Sequence, residues 1–292
     1  MKQFTGSFTA LITPFKDGLV DEQLFVELIE RQIKAGTHGL VPTGTTGESP
    51  TLNYEEHGRV TEICVKAVAG RADVMAGTGS NSTLEAITMT QHAQKVGADA
   101  ALIMTPYYNK PTQEGIFQHF KAIHDVTEIP IFLYNIPGRS IVDITDETLV
   151  RLAELERIVG IKDATGDLSR PASLKKELGD RFIQLSGEDE SAVEFNELGG
   201  LGCISVTANI VPEMCAKMHE LCLSGDFSAA KTIQNKIMDL HKAMFCETSP
   251  IPVKYAASLM GLCSDEMRLP LVSPAEKSQL KIRAALKALE LV

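Results

Sequence analysis

Along its first three quarters the chain alternates short β-branched runs with amphipathic stretches, and this alternation limits the possible folds more than any other feature. The strand candidates cover residues 8–13, 39–42, 73–77, 100–105, 130–135, 158–162, 182–186 and 202–206. Helical patterns lie between them at 21–35, 54–69, 83–96, 112–126, 145–155 and 169–178. Three segments repeat one design: "AGTHGLVPTG", "VGADAALIMTP" and "LGGLGCISVTAN" each run from a helix end through a glycine into an apolar strand. A glycine just past a helix accepts the left-handed turn that redirects the chain, and a buried strand follows. At the sixth helix, Ser169 can cap the start, with Pro171 in the first turn.

Strands that alternate with helices imply a parallel sheet covered by helices. Eight such units in roughly 250 residues fit a closed barrel better than an open sheet. A doubly wound sheet would carry a glycine-rich nucleotide fingerprint after its first strand, where this chain has Thr13-Pro14-Phe15. From about Gly225 the pattern is helical, over 227–245, 251–260 and 274–289, and no linker or low-complexity stretch divides the 292 residues. The expected architecture is α/β: a (β/α)8 TIM barrel over residues 1–224, with a C-terminal helical extension over 225–292 packed on it.

Hydrophobic residues make up 44% and charged residues 23%, enough to bury a sizeable core. A net charge of −10 opposes binding along a nucleic-acid backbone, which calls for a basic surface. Residues 1–16 hold no apolar run that reads as a signal peptide, and no stretch nears the roughly 20 apolar residues of a membrane span. A cytoplasmic protein with no nucleic-acid or membrane partner is expected. The six cysteines, Cys64, Cys203, Cys215, Cys222, Cys246 and Cys263, form no C-x-x-C pair and read as reduced thiols, mostly core filler. The seven histidines lack metal-ligand spacing, so neither metal nor cofactor is expected.

A parallel barrel builds its active site at the carboxyl ends of its strands. Strand two ends in Gly44-Thr45-Thr46-Gly47-Glu48-Ser49, strand four in Thr105-Pro106-Tyr107-Tyr108-Asn109 and strand five in Tyr134-Asn135-Ile136-Pro137-Gly138-Arg139. Strands six to eight deliver Gly160-Ile161-Lys162-Asp163, Ser186-Gly187-Glu188-Asp189 and Ile204-Ser205-Val206. Lys162 closes an apolar run, and an apolar setting disfavours a lysine's charged form, freeing an amine able to attack a carbonyl. The plainer alternative pairs Lys162 with a carboxylate such as Asp163. Tyr134, on the adjacent strand, could carry a proton for such an amine, or could be a core aromatic with a hydrogen-bonded tip. The Gly44–Gly47 loop could bind a carboxylate through its amides or serve only as a tight turn; without G-K-[ST] it is not a phosphate loop. Tyr107 and Tyr108 read equally as an interface pair or as part of a proton relay.

Taken together, "GTTGES", "PYYNKP", "YNIPGR" and "GIKDAT", with Ile12-Thr13-Pro14-Phe15 near the start, resemble the dihydrodipicolinate synthase family of the N-acetylneuraminate lyase superfamily over essentially the whole chain. The resemblance implies that Lys162 forms a Schiff base with pyruvate, and that Tyr134 shuttles protons in a relay with Thr45 and Tyr108. It implies that Thr46 and the backbone at Ile204 hold pyruvate, that Gly187 lies at the substrate, and that Arg139 binds the carboxylate of L-aspartate 4-semialdehyde. The implied reaction condenses the two into the cyclic precursor of diaminopimelate and lysine, with no metal or organic cofactor. A superfamily lyase acting on N-acetylneuraminate or a keto-deoxy sugar would share Lys162 and Tyr134, but Arg139 favours the synthase. A non-catalytic binding barrel would be expected to have lost Lys162, Tyr134 or Thr45.

The same resemblance implies a homotetramer of two tight dimers, with Tyr108 reaching into the neighbouring subunit's site. It also implies an inhibitory L-lysine site at the dimer interface, at Ser49, Pro50, Tyr54, His57, Asn81, Glu85 and Tyr107. Pro50 and Tyr54 stand where well-inhibited relatives often carry alanine and histidine, so an altered lysine affinity is expected.

Overall fold

The computed structural model describes residues 4–292; Met1–Gln3, part of the segment read for a signal peptide, lie outside the described residues. The chain forms a closed barrel of eight parallel strands: β1 (Gly6–Ala10), β2 (Gly39–Val41), β3 (Asp73–Gly77), β4 (Ala100–Met104), β5 (Ile131–Asn135), β6 (Ile158–Asp163), β7 (Ile183–Ser186) and β8 (Gly202–Ser205). Each strand pairs with the next in sequence, and β8 closes on β1 from Gly6↔Gly202 to Thr9↔Ser205. Phe8, Met75, Leu102, Phe132, Leu185 and Ile204 fill the barrel's interior. Alternate residues such as Ile103, Leu133 and Ile161 face outward onto Ile116, Phe120, Leu149 and Leu174 of the helices, which is why these strands read as continuous apolar runs.

Helices α1 (Glu22–Lys34), α2 (Tyr54–Val68), α3 (Thr83–Val96), α4 (Gln113–Asp125) and α5 (Asp146–Ala153) all start at a side chain that accepts a first-turn amide. The caps are Asp21, Asn53, Ser82, Thr112 and Thr145, and Asn53 with Glu56 forms a full capping box. Helix α6 (Arg170–Leu178) corrects an expectation: Ser169 makes no cap bond. Its backbone is already helical and its Oγ donates to Asp167 Oδ1 at 2.6 Å. Pro171, in the first turn, has no N–H to offer, so the nearby carboxylate is the better partner.

Two helices escaped the sequence pattern, α7 (Ala192–Glu197) and α8 (Pro212–Leu223). The first is too short to show a helical period. The second buries His219 among its apolar positions, where the ring bonds Asn196 at 3.0 Å. Strand one also differs from the expected 8–13: beyond Leu11 the Ile12 amide turns to the Asn209 side chain, so the strand ends at Ala10.

The extension consists of α9 (Phe227–Met244), α10 (Ile251–Leu259) and α11 (Glu276–Ala288). Ile237, Leu240, Val253, Ile282 and Leu286 share one core with Ile210, Cys215 and Met218 at the barrel's eighth unit. All six cysteines are free, four of them buried. No helix among the described residues is long and apolar enough to cross a membrane.

Candidate active site

Strand pairing sets the centre of the site. Tyr134 and Lys162 are register partners on β5 and β6, and the Lys162 Nζ lies 4.2 Å from the centroid of the Tyr134 ring. Lys162 is 7% exposed at the mouth of the barrel. Period-two alternation sends the next residue the other way: Asp163 faces Arg170 at 3.1 Å and accepts from the amide and hydroxyl of Thr165. The pairing of Lys162 with Asp163, left open by the sequence, is therefore not made. Burial pushes the Asp163 carboxyl up, against the pull of Thr165 and Arg170. Gly187 gives Lys162 its space, since a Cβ there would stand 3.1 Å from the lysine Cε and 2.6 Å from the Ala164 Cβ.

The loop after β2 is a stapled turn. Gly47 and Glu48 donate to the carbonyls of Gly44 and Thr45 at 3.1 Å each, and Thr13 Oγ1 donates to the Gly47 carbonyl at 2.7 Å. Among the described residues the amides of Thr45 and Thr46 have no hydrogen-bond acceptor. Arg139 sits on a single helical turn after β5 (Pro137–Ser140) and donates to the Ser249 carbonyl at 3.1 Å.

Lys162, Tyr134, Thr45, Thr46, Gly187 and Arg139 line one small cavity of about 60 Å³, so six expected residues converge. Two do not. Ile204 is buried in β8 inside the barrel, in the same interior cluster as Tyr134, without itself forming part of the cavity wall. Tyr108 is 90% exposed and is not part of this cavity's wall. Beside barrel residues such as Ala10, Leu102 and Val206, the wall also holds Glu188, Phe245 and Ser249, for which no role was expected. Burial pushes the Glu188 carboxyl up, and the charge of Lys162 pulls it back down. Glu188 stands at a strand end in the sequence, which was its only signal. Phe245 and Ser249 come from the extension and carried none.

A second, larger cleft of about 460 Å³ shares Thr45, Ile136 and Arg139 with the first. Its wall includes Ser49, Pro50, Tyr54, His57, Glu85 and Tyr107. Asn81 stands apart from that wall, its carbonyl accepting from the Asn109 side chain at 2.8 Å. Glu85 accepts from Ser80 at 2.7 Å, while burial and the Glu85 charge push the Tyr107 phenol up. His57 is 5% exposed and its Nε2 has no partner; burial lowers its pKa to about 4. Among the described residues no group of three or more His, Cys, Asp or Glu side chains is gathered as a metal site requires.

The sequence model of the dihydrodipicolinate synthetase family matches residues 3–289. A 4-hydroxy-tetrahydrodipicolinate synthase of Parvibaculum lavamentivorans is 58% identical over 285 residues, 98% of each chain. The solved structure of a chloride-inhibited dihydrodipicolinate synthase from Acinetobacter baumannii, complexed with pyruvate, superposes with a TM-score of 0.97 at 48% identity and covers 99% of this chain and 100% of that one. A dihydrodipicolinate synthase from Cyanidioschyzon merolae with lysine bound superposes at 0.95 with 38% identity, over 99% of both chains.

Proposed function

Since the chain belongs to the dihydrodipicolinate synthetase family, we propose that it condenses pyruvate with L-aspartate 4-semialdehyde through a Schiff base on Lys162, giving 4-hydroxy-tetrahydrodipicolinate for lysine and diaminopimelate biosynthesis. The observation that carries the reading is a buried lysine amine at the barrel mouth, 4.2 Å from a tyrosine ring, in a cavity that also holds two threonines and an arginine.

In this reading the Lys162 amine attacks the keto carbon of pyruvate, and Tyr134 donates the proton that lets water leave. The protonated imine then accepts the electron pair of a methyl C–H bond as that proton departs, giving an enamine. The enamine carbon attacks the aldehyde carbon, and the aldehyde oxygen takes up a proton. The substrate's own amine then displaces Lys162 from the imine carbon, closing the ring and restoring the enzyme. The unpartnered amides of Thr45 and Thr46 suit a carboxylate, so Thr46, with the backbone at Ile204 and the space at Gly187, is assigned to pyruvate. Arg139, steadied by the Ser249 carbonyl, is assigned to the second substrate's carboxylate.

Tyr108 faces solvent, so its part in a relay with Thr45 and Tyr134 requires a neighbouring subunit, and a homotetramer of two tight dimers supplies one. The larger cleft is assigned to inhibitory L-lysine: Glu85 for the ammonium, with the His57 Nε2 and the Tyr107 phenol as further polar partners. Ser49, Pro50 and Tyr54 form its rim, and Asn81 belongs to it only if its loop shifts. A lysine-bound relative supports the assignment. The location proposed is cytoplasmic, and the chain divides into the barrel of residues 1–224 and the extension of 225–292.

Borohydride with pyruvate should fix one three-carbon adduct on Lys162 of the wild type and none on Lys162→Ala. Semialdehyde consumption should then proceed without cleavage of N-acetylneuraminate. A Lys162→Ala variant that turns over within about tenfold of wild type removes Lys162 as nucleophile, since losing covalent catalysis costs far more.

A further inference from the structure

The loop that presents Thr45 and Thr46 is held from the far end of the chain. Glu48, at its close, and Lys254, on α10, are 206 residues apart, yet the Nζ of one lies 2.6 Å from the Oε1 of the other. Both side chains are wholly buried. The other carboxylate oxygen accepts the Arg268 amide at 3.1 Å, and the ammonium lies 4.3 Å from the centroid of the Phe15 ring. Burial draws Lys254 toward its neutral amine, and the charge of Glu48 opposes that pull.

Stability alone gives no reason for such a pair, because apolar residues of similar volume usually hold a fold as well or better. The loop geometry does give one. Thr43 and Glu48, at its two ends, both have left-handed backbone, with φ of 55° and 56°. Non-glycine residues take that conformation only when their surroundings enforce it. The Glu48 amide closes the turn on the Thr45 carbonyl at 3.1 Å, and its carbonyl accepts the Thr51 hydroxyl at 3.0 Å. With its side chain pinned, Glu48 cannot relax its backbone without separating two buried charges, and Thr45 and Thr46 move with it.

We propose that Lys254 is a positioning residue for the condensation: through its buried pair with Glu48, the C-terminal extension fixes Thr45 and Thr46 against Lys162. This rests on the Schiff-base reading of the cavity. Arg139 is held separately by the Ser249 carbonyl, so the pair governs the pyruvate half of the site and not the semialdehyde half.

The test is a Glu48→Gln/Lys254→Met double variant, which removes both charges at similar volume and leaves no lone buried ion. The expected result is a near wild-type melting temperature, a KM for pyruvate raised about tenfold or more, proportionally slower borohydride trapping, and an unchanged KM for semialdehyde. A folded double variant with wild-type pyruvate KM and trapping rate overturns the proposal. Equal loss on both substrates with a lowered melting temperature also overturns it, since a general structural role would do that. Should the double variant not fold, Glu48→Asp, which keeps both charges but shortens the tether by one methylene, is judged on the same split between the two KM values. Wild-type protein is the control: if it traps no pyruvate, the Schiff-base reading itself fails, an outcome distinct from a wild type that traps and a variant that matches it.

Discussion

Replacing Gly187 by alanine probes how closely the barrel is fitted around the nucleophile. The new methyl carbon would stand 2.6 Å from the Ala164 Cβ, whereas carbon atoms pack at about 3.5–4.0 Å. Ala164 has no side-chain rotation with which to yield, so one backbone must move by about 1 Å. The same methyl would stand 3.1 Å from the Lys162 Cε, so part of that movement passes to the amine. Misplacement on this scale costs about a hundredfold in rate, or about 2.7 kcal/mol of barrier, while overpacking costs a further ~1–3 kcal/mol of stability. Stopped-time borohydride trapping of pyruvate reads the first effect and urea unfolding the second. A folded Gly187→Ala protein that traps pyruvate at the wild-type rate would show that the glycine is not there to make room for Lys162.

Arg139→Ala should raise the KM for semialdehyde about tenfold or more while pyruvate trapping stays at wild-type rate, because the charge lost serves that substrate's carboxylate; equal effects on both substrates would place Arg139 elsewhere in the reaction. Glu85→Gln should weaken lysine binding, by calorimetry, about tenfold, and pyruvate should change wild-type lysine affinity by the factor by which lysine changes pyruvate affinity. No lysine binding at millimolar concentration, with or without pyruvate, refutes the second site. Burial holds His57, His119 and His219 neutral down to about pH 4 in the folded protein, against an ordinary value of 6.5. As pH falls below 6.5 the unfolded chain therefore takes up protons first, and stability should drop between 6.5 and about 4 while staying level above that window. A urea midpoint that is flat or rising on acidification through that window contradicts the assignment.

The barrel was legible because its strands are buried on both faces and its helices on one, so two different periods alternate in the sequence. The helix starts near 54 and 112 were legible to within a residue from the change of period, although the caps that fix them, Asn53 and Thr112, were not read as such. Where a local signal competed with a neighbour the reading failed, as at Ser169, whose hydroxyl went to Asp167. Helix α8 stayed hidden because its polar His219 is buried against Asn196, a partner 23 residues away.

For the site, the sequence by itself determined which chemical groups stand at the strand ends: a lysine, two threonines, a tyrosine and an arginine, in motifs specific enough to indicate the family. It could not say which way those groups face. Lys162 and Asp163 are neighbours on one strand, and only the closed barrel sends the first inward over Tyr134 and the second outward to Arg170. Nor could any local period foretell that the Ser249 carbonyl would receive Arg139, or that Lys254 would meet Glu48. Separations of 110 and 206 residues leave no trace in local patterning, because each partner satisfies its neighbours' helical or turn preferences equally well without the other. Those contacts exist only once the extension packs against the barrel mouth, and the complete burial of Glu48 and Lys254 makes either charge too costly to leave unpaired.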